Sequence, residues 1–203
     1  MKKLMIICGI ALGLLSSCTK DFKETNTNPN KTIVGMIQAS NMFEPLLYNF
    51  ANNWINDSWY YNNELVQFTA HTGGVTRREH QYFLEPSRDW KAFWDLYSNY
   101  GKNADHMHEL AVAQGDKSLE AISLTFKALY FANMTDMFGS VPYEEAFSGR
   151  KVGGTLTPKY NTQKEVYQFL FADLEAANDL YATNPTFLHP AMDGMYNGNM
   201  AKW

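Results

Sequence analysis

DWKAFWDLYSNYGKNADHMHELAVAQGDKSLEAISLTFKALYFANMTDMFGSVP, Asp89 to Pro142, carries one apolar rhythm through two successive segments. Trp90, Phe93, Trp94, Tyr97, Tyr100, Ala104, Met107 and Ala111 recur at steps of three and four, the spacing of one face of an α-helix. With Ser87 placed to cap the start, residues 88 to 113 read as one long amphipathic helix, and Trp90, Trp94 and Tyr97 are assigned to its core face. Gly101 within it costs about 1 kcal/mol against alanine, so the sequence predicts a kink or a close approach there. Gly115 and Asp116 supply a stop and a new cap, and Leu119, Ile122, Phe126, Leu129 and Tyr130 carry the period on to Met137. Gly139, with Pro142 behind it, ends the second helix. Two long helices joined by so short a turn must fold back on each other as an αα-hairpin.

Working outward, Thr162-Gln163-Lys164-Glu165 spells a capping box, and Val166, Phe169, Leu170, Leu174, Ala177, Leu180 and Tyr181 form the stripe of the helix that follows. Upstream, Ile33 to Thr69 is helix-compatible and is expected to split into two helices near Asn56. Evidence for strands is poor. The fold class is therefore all-α, with helical hairpins stacked as a tetratricopeptide-like α-solenoid, although no residue-level repeat of that period is present.

The amino terminus fixes the compartment. Lys2 and Lys3 precede an apolar run from Leu4 to Leu15, which has the form of a secretory signal and is too short for the roughly 20 residues of a membrane span. Leu15-Ser16-Ser17-Cys18 resembles a bacterial lipobox, which implies cleavage before Cys18, a thioether-linked diacylglycerol on its sulfur and acylation of the new amino terminus. Cys8 leaves with the signal, so the mature chain keeps one cysteine, and lipidation accounts for it. TKDFKETNTNPNKT, Thr19 to Thr32, has too little apolar surface to order itself and reads as a tether. Lys20, Asp21 and Glu24 resemble the charged address of surface-directed lipoproteins. The expected organisation is a signal at 1–17, lipidated Cys18 and tether at 18–32, and a helical domain from 33 to 203.

The whole chain carries a formal charge of −4, which falls to about −6 once the two signal lysines are gone. With no basic run, that balance argues against nucleic acid as a partner. Catalytic constellations are missing too. Glu144 and Glu145 are adjacent and read as a solvated face, whereas glycoside hydrolysis needs two carboxyls roughly 5–10 Å apart across a cleft. His106 and His108 diverge on a helix and cannot share a metal ion. No phosphate loop, nucleophile elbow or zinc motif occurs, and no cofactor is called for apart from the lipid on Cys18. Aromatic content is high at 15%, enough to offer flat faces for sugar rings as well as a core. Loops that combine aromatics with cationic or amide groups suit such ligands, which singles out Trp59, Arg78 and Tyr82 as candidate ligand-binding residues.

A family resemblance enters through the linker DMFGSVPYEEAFSGRKVGGTLTPKYNTQKEVYQFLFADLEAANDLY, Asp136 to Tyr181. Asp136, Phe138-Gly139, Val141-Pro142-Tyr143, Glu145-Ala146, Pro158, Tyr160, Gln163, Val166-Tyr167, Asp173-Leu174 and Ala176-Ala177 stand in the order found in the SusD/RagB family, which this chain resembles along its mature length. The resemblance implies a non-catalytic, surface-exposed outer-membrane lipoprotein that binds a nutrient, most often a glycan, beside a TonB-dependent outer-membrane transporter of the SusC kind. The alternatives are an accessory partner of the transporter with no ligand site of its own, and a surface glycosidase. MDGMYNGNMAKW, Met192 to Trp203, resembles a mid-protein motif of the family that leads into another helix. By that resemblance these residues are the N-terminal portion of a longer protein, and an apolar face is expected where the next helix would pack.

Overall fold

A computed structural model of the protein describes residues 21–28, 35, 37–57, 59, 62–70, 91 and 94–203. The chain divides into two units, Met1–Ile37 and Gln38–Trp203. Among the described residues of the first unit, the regular element is one helical turn, Phe22–Thr25. Among the described residues of the second unit the long α-helices are α1 (Ser40–Asp57), α2 (Lys102–Gln114), α3 (Lys117–Phe138) and α4 (Gln163–Ala182). Helix α1 is bounded at Asp57 and a short helical segment, Asn63–Leu65, follows, while residues 58, 60 and 61, next to the expected split near Asn56, lie outside the described residues.

The α2–α3 turn forms as its residues dictate. Gly115 takes φ +72°, and its amide and that of Asp116 bond back to the carbonyls of Val112 and Ala111, at 3.2 and 2.9 Å. This double closure is a Schellman motif, which needs a left-handed residue where Gly115 stands. Asp116 then caps α3, its carboxylate accepting from the Leu119 amide at 3.0 Å and from the Ser118 hydroxyl at 2.6 Å. At α4, Thr162 and Glu165 make both bonds of the capping box. Those bonds hold the Glu165 carboxyl below the usual range. Thr162→Ala is expected to destabilise the protein by about 1 kcal/mol, read as a lower denaturant midpoint at unchanged slope.

Helix α3 is the centre of the core. It buries residues on nearly every side, among them Leu119, Ile122, Ser123, Phe126, Tyr130, Phe131 and Met134, because α2 and α4 both pack against it. A helix enclosed this way has no single stripe. Within the predicted set Leu129 is the exception, 44% exposed. Leu174 of α4 likewise faces outward while Val166, Leu170 and Ala177 are buried. Tyr130 donates to the Leu46 carbonyl at 3.2 Å, and burial, with Tyr100 beside it, pushes its hydroxyl far above the usual phenol range. Tyr181 meets the Thr125 hydroxyl at 2.9 Å, and burial pushes its hydroxyl up to about 12.

Two findings depart from the sequence reading. The predicted helix over 88–113 is a π-helix from Asp95 to Gly101 running into α2, and Ser87 and Trp90 lie outside the described residues. Gly101 explains the position of the defect. A Cβ there would stand 3.0 Å from the Phe131 ring and 3.1 Å from the Leu96 carbonyl oxygen, so this is the predicted close approach. A π-turn closes i→i+5 instead of i→i+4 and so rotates everything upstream out of phase. Trp94 is in consequence 56% exposed, which corrects its assignment to the core. The second departure is a two-stranded antiparallel ladder, β1 (Val141–Pro142) with β2 (Tyr160–Asn161), pairing Val141 with Asn161 and Pro142 with Tyr160. Strands this short carry no period to read.

Candidate functional site

The long connection between α3 and α4 builds a wall, and the π-turn supplies the face opposite. Val141 is fully buried, and the buried Asn161 side chain accepts from the Tyr143 and Glu144 amides at 3.0 and 3.1 Å, closing the base of the connection. Glu145 is a structural pin, accepting from the Lys159 amide at 2.8 Å, and both Glu144 and Glu145 are exposed as expected. Gly154 permits the loop to double back, since a Cβ there would fall 1.8 Å from the Ser148 carbonyl oxygen. Arg150 ties the wall to α2 through Asp105 at 2.5 Å and Glu109 at 2.9 Å, and Lys151 adds Glu109 at 2.7 Å.

Between wall and helix lies a cleft of about 630 Å³, bordered by Trp94, Tyr97, Phe147, Tyr160, Lys102 and Arg150, with Thr155, Thr157 and Pro158 along the loop. Its volume is in the range of small-ligand sites, roughly 300–1,000 Å³. Trp94 and Tyr160 are 56% and 61% exposed. Tyr97 is half-buried with its ring 4.6 Å from that of Phe147, and burial raises its hydroxyl above the usual phenol range. Phe147 holds φ +61°, a left-handed conformation unusual for an aromatic residue, fixed between Tyr97 and Phe131. The cleft thus offers aromatic side chains, hydroxyls and two cations, with no carboxylate among the described residues that line it. That set can stack a flat ring and hydrogen-bond its rim.

The residues singled out from sequence fall elsewhere. Trp59 is described and 62% exposed, and it does not border this cleft. Cys18, Arg78 and Tyr82 lie outside the described residues. His108 meets the Ser123 hydroxyl at 3.2 Å, and among the described residues no group of His, Cys, Asp and Glu is placed to hold a metal ion. Trp94, Arg150 and Tyr160 were missed as site residues. The available signal was the length of the α3–α4 connection, since long ordered loops in a domain are usually functional.

The architecture is thus a set of packed helices with an aromatic cleft built on one long connection. The comparisons make this specific: a SusD-like family, described as starch-binding and associating with the outer membrane, matches residues 29–203, and the chain belongs to it. A SusD homologue of Bacteroides fragilis shares 27% identity over 82% of this chain, with a TM-score of 0.59. A second from the same species (18% identity, 83% of this chain, TM-score 0.55) and one from Bacteroides ovatus (20%, 66%, 0.54) share the fold. The chain spans about a third of the length of these solved relatives, 33%, 33% and 26% in turn. No curated protein matches the sequence.

Proposed function

We propose that this chain is a non-catalytic, lipid-anchored glycan-binding protein of the outer membrane, and that the cleft lined by Trp94, Tyr97 and Tyr160 receives sugar rings. The observation that carries the reading is the pair of exposed aromatic side chains, Trp94 and Tyr160, in a cleft whose lining joins apolar groups such as Pro142, Phe147 and Leu156 to threonine hydroxyls and the cations Lys102 and Arg150. A pyranose brings an apolar face to stack and a polar rim to hydrogen-bond. Membership of a family described as starch-binding supplies the ligand class, with starch-like glucans as the first choice. Trp59, Arg78 and Tyr82 remain proposed ligand contacts on the same chemical grounds.

Attachment to the membrane is through acyl chains on Cys18, and among the described residues no helix is long and apolar enough to cross a membrane. The partner is a TonB-dependent transporter of the SusC kind, to which the bound glycan is handed at the cell surface. Cys18→Ser is expected to move the protein from the membrane to the soluble fraction and to abolish incorporation of labelled palmitate. Retention in washed outer membranes without label would overturn the anchor.

Affinity electrophoresis of the purified chain in gels cast with amylopectin tests the binding. Retardation is expected, and Trp94→Ala is expected to weaken it at least about tenfold, equivalent to about 1.4 kcal/mol. Equal mobility with and without amylopectin, or a Trp94→Ala variant retarded like the parent, counts against the cleft as the site.

A further inference from the structure

Asn197-Gly198 is the only Asn-Gly pair in the sequence, and it lies in a turn organised by Asp193. One carboxylate oxygen of Asp193 accepts from the Gly198 amide at 2.9 Å and from the Trp203 indole at 2.8 Å. The other oxygen takes the Met195 and Tyr196 amides at 3.0 and 3.1 Å. Asn197 is exposed and holds φ +50°, a left-handed conformation that asparagine tolerates. Asparagine is among the thermolabile side chains, and a glycine after it leaves the next backbone nitrogen unscreened, since glycine has no Cβ. Gly198 is closely packed. A Cβ on it would stand 2.9 Å from the Pro190 Cβ and 3.1 Å from the Phe187 ring, and Phe187 lies edge-on to Phe43 of the core at 5.3 Å.

We propose that Asn197 is a spontaneous deamidation site that Asp193 keeps latent in the folded protein and that becomes reactive when the turn leaves the carboxylate. In the reaction the Gly198 backbone nitrogen gives its proton to solvent hydroxide and attacks the side-chain carbonyl carbon of Asn197. The new N–C bond closes a succinimide ring, the bond from that carbon to the side-chain nitrogen breaks, and ammonia leaves with a proton returned by water. One further water opens the ring at either carbonyl, giving aspartate or isoaspartate. The fold opposes the first step twice. The Gly198 N–H must give up its hydrogen bond, and the nitrogen's negative charge must form against the Asp193 carboxylate. Asn199 in the same turn precedes methionine, whose side chain crowds the equivalent nitrogen, so it is the internal reference. Isoaspartate adds a methylene to the main chain beside Gly198, which would carry that amide away from Asp193 and disturb its packing on Pro190 and Phe187. A chain that has opened here for long enough therefore refolds less stably.

The test is ageing of the full chain in mildly alkaline buffer, native and in urea, with peptide mapping by mass spectrometry at residues 197 and 199. Conversion of Asn197 is expected to be at least about tenfold faster in urea than in the native parent, with Asn199 slow in both. Hydrogen exchange of the Gly198 amide passes through the same nitrogen anion and should be slowed in the native parent. Asp193→Ala should remove the protection, whereas Trp203→Phe, which takes away only the neighbouring indole donor, should keep Asn197 intact. Parent aged in urea and refolded should show a lower denaturant midpoint than Asn197→Gly treated in the same way. Equal conversion of the native and unfolded parent overturns the proposal, and so does free exchange of the native Gly198 amide. Trp203→Phe converting as fast as Asp193→Ala also overturns it, because general loosening and not the carboxylate would then set the rate. If Asp193→Ala fails to fold, the exchange measurement on the parent decides.

Discussion

Asp193→Ala is expected to cost about 3–5 kcal/mol and to lower Tm by roughly 10 °C. Asp193 is 3% exposed and takes four hydrogen bonds: from the amides of Met195 at 3.0 Å, Tyr196 at 3.1 Å and Gly198 at 2.9 Å, and from the Trp203 indole at 2.8 Å. Alanine would leave those donors without an acceptor, at about 1–3 kcal/mol for each that stays dry. It would also release Trp203, whose ring stands 5.9 Å from Phe43, 5.8 Å from Phe126 and 5.3 Å from Tyr196. Asp193→Asn keeps one oxygen and should lose less.

The same carboxylate sets a pH dependence. Burial alone would raise its pKa, but the bonds from Trp203, Gly198, Tyr196 and Met195 outweigh burial and hold it below the ordinary value. A depressed folded-state pKa makes the contribution fully present above about pH 3.9, the unfolded value, and lost as pH falls through the folded one. Urea melts from pH 6 to pH 2 should show that loss in the parent and a shallower decline in Asp193→Asn. Identical slopes would remove Asp193 as its source.

Tyr143→Ala is expected to cost about 3–5 kcal/mol and Tyr143→Phe about 1 kcal/mol, measured by equilibrium unfolding. The ring is 5% exposed, stacked on Phe169 at 5.3 Å, edge-on to Phe131 at 4.6 Å and under the Lys127 ammonium at 4.8 Å. Its hydroxyl donates to Asp173, and burial, then the Asp173 charge, pushes it far above the usual phenol range. Ring and hydroxyl thereby join the start of the α3–α4 connection to α3 and α4. Because that connection forms the cleft wall, Tyr143→Ala should also weaken amylopectin retardation, whereas Tyr143→Phe should leave it intact. If both variants lose similar stability, the hydroxyl bond to Asp173 outweighs the packing of the ring.

The candidate site was less legible than the fold, and Trp94 shows why. Its spacing to Tyr97 and Ala104 is that of a helix face, yet the phase of a helix carries across Gly101 only if the turn there is regular. The segment there is a π-helix, and the Phe131 ring packed against Gly101 lies on another helix. Arg150 is similar. Its partners Asp105 and Glu109 lie on α2, and no local pattern connects them.

What the sequence determined by itself were the features whose cause lies within a few residues: the Gly115–Asp116 turn, the Thr162–Glu165 capping box, the helix stop at Gly139 and the helical hairpin between them. Caps and turns are closed by bonds three to five positions apart, so composition and spacing specify them. The tertiary structure alone decided that α3 is buried on nearly every side, that Trp94 turns outward, that Asp193 gathers Met195, Tyr196, Gly198 and Trp203 around one carboxylate, and that a cleft opens beside the α3–α4 connection. Those outcomes depend on which surfaces meet across long separations in the chain, and burial is a property of the meeting, not of either segment.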